Sequence, residues 1–359
     1  MNQFEKLNLS LPIIQGGMGI GISLGNLAGS VAAQGGMGVI STANPGYAHP
    51  DFWKNPAEYN LEALRFHVQK AKQLAKGQGV VAINAMVATT RYAESVAAAI
   101  QSGVDAIISG AGLPLNLPAV EGAEQVALAP IVSGGRAITT ICKLWDKRFG
   151  RVPDFVVVEG SEAGGHLGFS KEEVLNGTAK PLKELVREVC QALEPWQQKY
   201  SRKIPVFAAG GVFDGADIAE MERSGATGVQ IATRFIATKE CDASEEYKQA
   251  MIRAKAEDVR IVQSPVGMPG RALASPLLER LAKAGRIAPA HCANCLVPCQ
   301  PAQTPYCITH ALIEAVKGNW EEGLFFCGSN VGKIQQMTTV PELMQRLAQE
   351  WKQAKQQTV

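Results

Sequence analysis

The chain carries too little charge of either sign to bind a polyanion over a broad surface. Charged residues make up 19% of its 359 residues, and the formal net charge is only +2. Nucleic acids and anionic membranes are bound by concentrated positive fields. We therefore expect a small-molecule substrate as the partner, and neither a nucleic acid nor a membrane.

The sequence also lacks the features of membrane and secreted proteins. It contains no apolar run of about 20 residues that could span a bilayer. The first residues, 1–6, lack the basic start and apolar stretch of a signal peptide. Eight cysteines are too few for a disulfide framework in a chain of this length. These absences predict a cytoplasmic protein.

What the sequence does have is a regular alternation of short apolar runs and amphipathic segments, up to residue 240. Such alternation is typical of strands joined by crossover helices. We predict eight strands, at Leu11–Gln15, Gly38–Thr42, Val80–Met86, Ala106–Ser109, Ala127–Val132, Phe155–Glu159, Val206–Ala209 and Gly228–Ile231. We predict helices between them at Leu24–Gln34, Tyr59–Lys76, Arg91–Gln101, Arg136–Phe149, Pro181–Lys199 and Ala216–Ser224.

Eight parallel strands close most simply into a (β/α)8 TIM barrel, whose chemistry lies on the loops after the strands. A doubly wound open sheet is the alternative, but no Gly-x-Gly-x-x-Gly turn follows the first strand. Beyond residue 240 the alternation stops, and helical segments follow near 244–255, 308–317 and 341–354. We expect residues 1–240 to form the barrel and residues 241–359 to form a helical, cysteine-containing appendage packed on it.

A glycine-rich loop after the sixth predicted strand carries a single histidine. The strand ends at Glu159, and the loop 160–168 contains Gly164, Gly165 and His166. The glycines allow the backbone to approach a flat ligand, and an imidazole can transfer a proton near neutral pH. We interpret this loop as part of an active site with His166 as its catalytic residue. The alternative is a flexible connection with a solvated histidine.

The loops after the seventh and eighth strands are candidates for a phosphate site. In barrels these two loops commonly bind phosphate through backbone N–H groups at the start of a helix. Here Gly210 and Gly211 allow close backbone approach, and Thr233 adds a hydroxyl. The alternative is a glycine turn that only packs a helix onto a strand.

Together these segments resemble the nitronate monooxygenase (2-nitropropane dioxygenase) family and its relative, the FMN-dependent enoyl-acyl-carrier-protein reductase. The similar segments are Pro12–Gly19, Glu159–Gly168, Ala208–Gly211, Gly228–Phe235 and, after them, Ser264–Arg271. The resemblance implies a barrel that binds FMN non-covalently, and it assigns the family's histidine to His166. Glu162, a candidate partner of that histidine, is not the reacting group in the family.

The resemblance also implies which residues bind FMN. The loop 17–19 would lie along the ring, Asn84 and Gln230 would bind its polar edge, and two further loops would hold the phosphate. The implied cofactor-binding residues are Gly17, Met18, Gly19, Asn84, Glu159, Gly164, Gly165, Ala209, Gly210, Gly211, Gln230, Ala232 and Thr233. Two positions depart from the family pattern. Ala232 stands where glycine is more usual, and Glu159 stands where many nitronate-oxidising members have glutamine, so that the enoyl reductases are more similar there.

Half of the cysteines form a cluster near the end of the chain. Cys292, Cys295, Cys299 and Cys307 follow the spacing C-x2-C-x3-C-x7-C. Thiolates this close in sequence can bind an iron–sulfur cluster or a zinc ion. The spacing matches neither a ferredoxin nor a regular zinc ribbon, and thiols packed as small hydrophobic groups are the alternative.

The resemblance to this family implies a flavin monooxygenase that oxidises alkyl nitronates with dioxygen to a carbonyl compound and nitrite. One alternative is an enoyl-thioester reductase that uses NADH or NADPH as the reductant. Another is a non-enzymatic flavin protein that senses redox state through its cysteines. The residues do not separate the first two, and they leave the oligomeric state open, although a homodimer is compatible with them.

Overall fold

The predicted barrel is confirmed in a computed structural model that describes residues 3–357. Eight parallel strands pair in chain order, and the last pairs with the first to close the barrel. The strands are β1 (Ile13–Gln15), β2 (Met37–Ser41), β3 (Val80–Met86), β4 (Ala106–Gly110), β5 (Ala127–Val132), β6 (Val156–Glu159), β8 (Val206–Ala209) and β9 (Gly228–Ile231). Each agrees with its predicted position to within two residues at either end.

Helices surround the barrel and continue into the C-terminal part of the chain. They are α1 (Gly25–Ala33), α2 (Pro56–Ala75), α3 (Tyr92–Gln101), α4 (Gly135–Phe149), α5 (Lys171–Leu175), α6 (Leu182–Tyr200), α7 (Gly215–Arg223), α8 (Thr233–Ile236), α9 (Glu245–Arg253), α10 (Pro276–Ala284), α11 (Ile308–Val316) and α12 (Val340–Gln356). Between β4 and β5 the described chain forms two short 3-10 turns in place of a helix.

The core has two layers because successive side chains of a strand point to opposite faces. In β6, Val157 points into the barrel, whereas Val156 and Val158 pack outward against the helices. The interior is filled by side chains, and the ring of Phe4 lies 5.3 Å from that of Phe155 at its N-terminal end. The barrel is therefore a packed core that opens only at the carboxyl ends of its strands.

The C-terminal part contains strands that the sequence did not predict. β10 (Val259–Gln263) and β11 (Pro269–Leu273) pair antiparallel, and β11 also pairs with β7 (Gly165–His166). Pro269 and Gly270 resemble turn residues rather than strand residues, and β7 is only two residues long. The small sheet joins the histidine loop to residues about 100 positions later in the chain.

Helix α12 packs against α7 and α1 on the outside of the barrel. Its side chains Leu343, Met344 and Leu347 belong to the same buried cluster as the outward-facing residues of the strands. None of the helices within residues 3–357 combines the length and apolar character needed to cross a membrane.

Candidate functional site

The carboxyl ends of the barrel strands surround one cavity of about 370 Å³. Every residue that the sequence analysis assigned to catalysis or FMN binding lines it, although their roles stay predictions. These residues are His166, Gly17, Met18, Gly19, Asn84, Glu159, Gly164, Gly165, Ala209, Gly210, Gly211, Gln230, Ala232 and Thr233. Residues from β1, β3, β6, β8 and β9 meet there because the ends of parallel strands share one face of a barrel.

The loop after β1 is held close to the neighbouring strands by a buried amide. Gln15 donates from Nε2 to the carbonyl of Gly16 at 2.5 Å and accepts at Oε1 from the N–H of Val39 at 3.1 Å. At Gly17 a Cβ atom would come within 2.4 Å of the Cβ of Asn84. The loop therefore needs glycine at this position to lie flat along the wall of the cavity.

The side chain of Gln230 provides a test of whether the wall suits a flavin. Gln230 lines the cavity, and its Oε1 atom is buried and without a hydrogen-bond partner within residues 3–357. A buried acceptor of this kind requires a donor. The polar edge of a flavin ring carries an N–H donor between two carbonyl acceptors, so its chemistry matches this orphaned oxygen.

The part of the cavity at the loops after β8 and β9 has the features of a phosphate site. Gly210 and Gly211 have φ angles of 86° and 91°, a conformation that L-residues with a side chain rarely adopt. Thr233 is the first residue of the short helix α8, and its hydroxyl accepts a hydrogen bond from the N–H of Gly328 at 2.8 Å. Backbone N–H groups and a hydroxyl at a helix start are the groups that bind phosphate.

Sequence reasoning missed the contribution of the C-terminal segment to this part of the cavity. Gly328, Ser329 and Asn330 also line the cavity, and Asn330 donates to the carbonyl of Gly211 at 2.5 Å. Phe326, from the same segment, lines the cavity beside His166. The run Gly-Ser-Asn was the available signal, since small polar residues before a helical turn allow close approach to a ligand.

His166 is half-buried in the wall of the cavity. Its Nε2 atom lies 2.7 Å from the hydroxyl oxygen of Ser264, and its ring meets the edge of Phe326. Burial lowers the pKa of His166 to about 4, so the imidazole is neutral near pH 7. The side chain that is hydrogen-bonded to His166 is that of Ser264. Glu162, the partner considered from the sequence, instead accepts a hydrogen bond from Ser329.

Glu159 ends β6 and also faces the cavity. Burial raises the pKa of its carboxyl group to about 7. The group is therefore divided between its protonated and ionised forms at neutral pH, and it can donate or accept a hydrogen bond.

The buried guanidinium of Arg271 holds the histidine loop in place. It lies in β11 and donates to the carbonyls of Ser161 and Ala163 at 2.5 Å and 2.7 Å. Two carbonyls that would otherwise be unpaired are satisfied by one side chain, which fixes the loop that precedes His166.

The four clustered cysteines lie outside this cavity. All are free thiols, and Cys292 is exposed while the other three are partly buried. Within residues 3–357, no three metal-ligating side chains are already arranged to coordinate an ion. The role predicted for the cluster thus remains a prediction.

Comparisons with known proteins agree with this architecture. A family model described as "Nitronate monooxygenase" matches residues 2–350. A protein named "Probable nitronate monooxygenase" from Staphylococcus haemolyticus (strain JCSC1435) is 28% identical over 304 residues, covering 77% of this chain and 79% of that protein. Another of that name, from Bacillus subtilis (strain 168), is 25% identical over 374 residues, covering 98% and 99%.

Two solved structures share the fold. FabK from Thermotoga maritima superposes with a TM-score of 0.75 at 23% identity, covering 99% of this chain and 96% of that one. A nitroalkane oxidase from Streptomyces ansochromogenes superposes with a TM-score of 0.72 at 20% identity, covering 99% and 100%. At these identities the two structures support the fold alone.

Proposed function

The chain belongs to the nitronate monooxygenase family of FMN-dependent oxidoreductases, and we propose that it oxidises alkyl nitronates with dioxygen to a carbonyl compound and nitrite. Membership makes it a flavin-dependent enzyme rather than the non-enzymatic flavin protein that the sequence left open. The observation that carries the specific proposal is a neutral, half-buried imidazole in the wall of the cavity at the carboxyl ends of the strands.

FMN, when bound, would supply the redox chemistry that takes electrons from the substrate and passes them to dioxygen. Gln230 and Asn84 would bind the polar edge of its ring. The N–H groups of Gly210 and Gly211, together with the Thr233 hydroxyl, would bind its phosphate. The orphaned Gln230 oxygen supports this orientation because it leaves a buried acceptor for the ring N–H.

His166 would remove the proton from the carbon next to the nitro group of a neutral nitroalkane. Its Nε2–H can donate to Ser264, which leaves Nδ1 with no hydrogen-bond partner in the described chain and available as the base. The imidazolium that forms keeps its bond to Ser264 and lies beside the new negative charge of the nitronate. The attraction of the nitronate charge offsets the cost of burying the imidazolium, which makes His166 a weak base when no substrate is bound.

The surroundings of His166 favour a small apolar substrate. Met268, Leu312 and Phe326 line the cavity with apolar groups, and the ring of Phe326 packs against that of His166. A bound substrate that displaces water from this cavity would strengthen the attraction between the imidazolium and the nitronate.

Glu159 favours a second candidate function, the NAD(P)H-dependent reduction of an enoyl thioester. At this position the chain is more similar to the enoyl reductases, and burial keeps a fraction of the carboxyl protonated at neutral pH. A protonated carboxyl can hydrogen-bond to a carbonyl oxygen of the substrate.

The test compares FMN-loaded wild-type protein with His166→Ala on a neutral nitroalkane and on the preformed nitronate. We expect turnover of the neutral nitroalkane to fall about 10²- to 10⁴-fold, the usual effect of losing a general base, while FMN affinity is kept. Turnover of the preformed nitronate should change little. His49→Ala, which alters an exposed histidine outside the cavity, is the control.

Equal losses on both substrates, or no loss on either, would contradict proton removal by His166. Anaerobic addition of NADH or NADPH with a crotonyl thioester tests the second function. Reduction of the thioester by protein that does not oxidise nitronate would replace the proposal with enoyl reduction.

A further inference from the structure

The segment 288–307, which lies outside the cavity, is rich in cysteine and lacks regular structure. Its described residues form neither a helix nor a strand of the two sheets, although it runs between α10 and α11. It contains Cys292, Cys295 and Cys299, and Cys307 is the residue that caps α11.

The four cysteines lie around the first turn of α11. The Thr309 hydroxyl in this turn donates to Cys295, and Cys307 caps the same helix. The indole ring of Trp53 contacts the rings of His291, next to Cys292, and of His310 on α11. The Cys299 N–H donates to the carbonyl of Leu296 at 3.3 Å, which keeps Cys299 in a turn next to Cys295. No disulfide joins any of the four.

Hydrogen-bond donors already point at the sulfurs. The pairs are the Asn294 N–H with Cys292 at 3.4 Å, the Thr309 hydroxyl with Cys295 at 3.0 Å, and the His310 N–H with Cys307 at 3.5 Å. Donors to sulfur stabilise thiolates relative to thiols and adjust the reduction potential of a bound cluster. Thiols that serve only as small hydrophobic groups do not require them.

The group is anchored to the wall of the flavin cavity. Leu296 forms a bridge with Thr89 in the loop after β3, and the N–H of Thr90 donates to the carbonyl of Cys295 at 3.2 Å. On α11, Leu312 lines the cavity one turn after Thr309, which contacts Cys295. A redox centre held here would lie directly behind the cavity.

From this arrangement we propose that Cys292, Cys295, Cys299 and Cys307 bind a four-iron iron–sulfur cluster. A zinc ion would need its four sulfurs about 3.8 Å apart, as follows from Zn–S bonds of about 2.3 Å in a tetrahedron. Within the described chain no three ligating groups are arranged around a single ion. A cluster gives each cysteine its own iron and so spans sulfurs that are farther apart.

The test is iron, sulfide and zinc analysis of the full-length protein purified without oxygen and reconstituted with iron and sulfide. We expect about four iron and about four sulfide per chain, with an electron paramagnetic resonance signal after reduction. The double variant Cys295→Ser/Cys299→Ser should lose most of the iron and the signal. Cys190→Ser, a partly buried cysteine on α6, should retain both and is the matched control.

Two results obtained with the wild-type protein alone would overturn the proposal. One is the absence of iron and sulfide from reconstituted, FMN-loaded wild-type protein, and the other is stoichiometric zinc in their place. Iron and signal unchanged in a folded double variant would also overturn it, because the iron would then be bound elsewhere. These readouts are independent of turnover, so they do not depend on the substrate proposed above.

Discussion

Ser264 determines how the imidazole of His166 can hold a proton. Its hydroxyl oxygen accepts from the N–H of Val266 at 3.2 Å and lies 2.7 Å from Nε2 of His166. When His166 is charged, Nε2–H donates to this oxygen, and a hydrogen bond to a charged group is worth about 1.5–3 kcal/mol. Ser264 is thus a positioning residue that stabilises the protonated form.

Ser264→Ala should therefore lower the pKa of His166 in the free enzyme below its value of about 4. We expect kcat/KM for neutral nitroalkanes to fall about 10- to 100-fold, the equivalent of that one hydrogen bond. The acid limb of the pH profile should move to lower pH. Ser264→Thr keeps the hydroxyl and should recover most of the rate. A loss of rate without a shift of the acid limb would mean that Ser264 does not affect the pKa of His166 and acts only through its hydrogen bond to the backbone N–H of Val266.

Glu159 makes the stability of the flavin-free protein depend on pH. Its folded-state pKa of about 7 lies above the value of 4.5 for a free carboxyl, so the folded state binds the proton more tightly. The stabilisation is fully present below pH 4.5 and is lost as the pH rises through 7. Burial is the cause, since a buried carboxylate is less well solvated.

Glu159→Gln should abolish this loss. We expect the wild type, relative to the variant, to lose about 2–3 kcal/mol of unfolding free energy between pH 5 and pH 8. Urea unfolding of the flavin-free proteins at both pH values measures it. Glu172→Gln, which alters an exposed carboxyl on α5, should behave like the wild type. Parallel pH curves for wild type and Glu159→Gln would show that the carboxyl is not desolvated.

Among the elements, the small sheet is what makes the histidine loop a defined structure. β7 pairs with β11, and Arg271 from β11 donates to two carbonyls of the loop. Replacing Arg271 with methionine keeps much of its volume but leaves the carbonyls of Ser161 and Ala163 unpaired. Each unpaired buried group costs about 1–3 kcal/mol.

Arg271→Met should lower the unfolding free energy by about 2–4 kcal/mol and should also lower kcat, because His166 is then less well positioned. Urea unfolding and nitroalkane turnover measure the two effects. Arg260→Met changes an exposed arginine on the adjacent strand β10 and is the control. Equal effects of the two substitutions would show that the loss comes from the sheet as a whole and not from the hydrogen bonds of Arg271 to the loop.

The same elements mark the limit of what the sequence could predict. The barrel strands were predictable because β5, β6 and β8 are short, mostly apolar runs. The helices between the strands were predictable because their apolar residues recur with the period of a helix. β7 and β11 have neither feature, since Gly165, Pro269 and Gly270 are read as turn residues. Their pairing joins positions about 100 residues apart, and local patterns carry no information about such a contact.

At the level of the whole molecule, the barrel and the C-terminal part share one core and one cavity. Phe325, Cys327 and Leu343 are buried in the cluster that also packs behind the barrel strands. Gly328 and Asn330 contribute to the proposed phosphate site. The contacts across the predicted boundary at residue 240 lead us to expect that the two parts depend on each other for stability.

A chain that ends at residue 240 should consequently fail to form a cooperative fold or to bind FMN. It loses every buried apolar side chain of α12, and each large one contributes about 1.5–3 kcal/mol. A chain that ends at residue 339 keeps Gly328 and Asn330, so it should retain measurable FMN affinity with lower stability. FMN fluorescence titration and urea unfolding of both chains measure this difference. If the chain that ends at residue 240 binds FMN with wild-type affinity, the barrel is an independent domain and the C-terminal segment does not help to bind the phosphate.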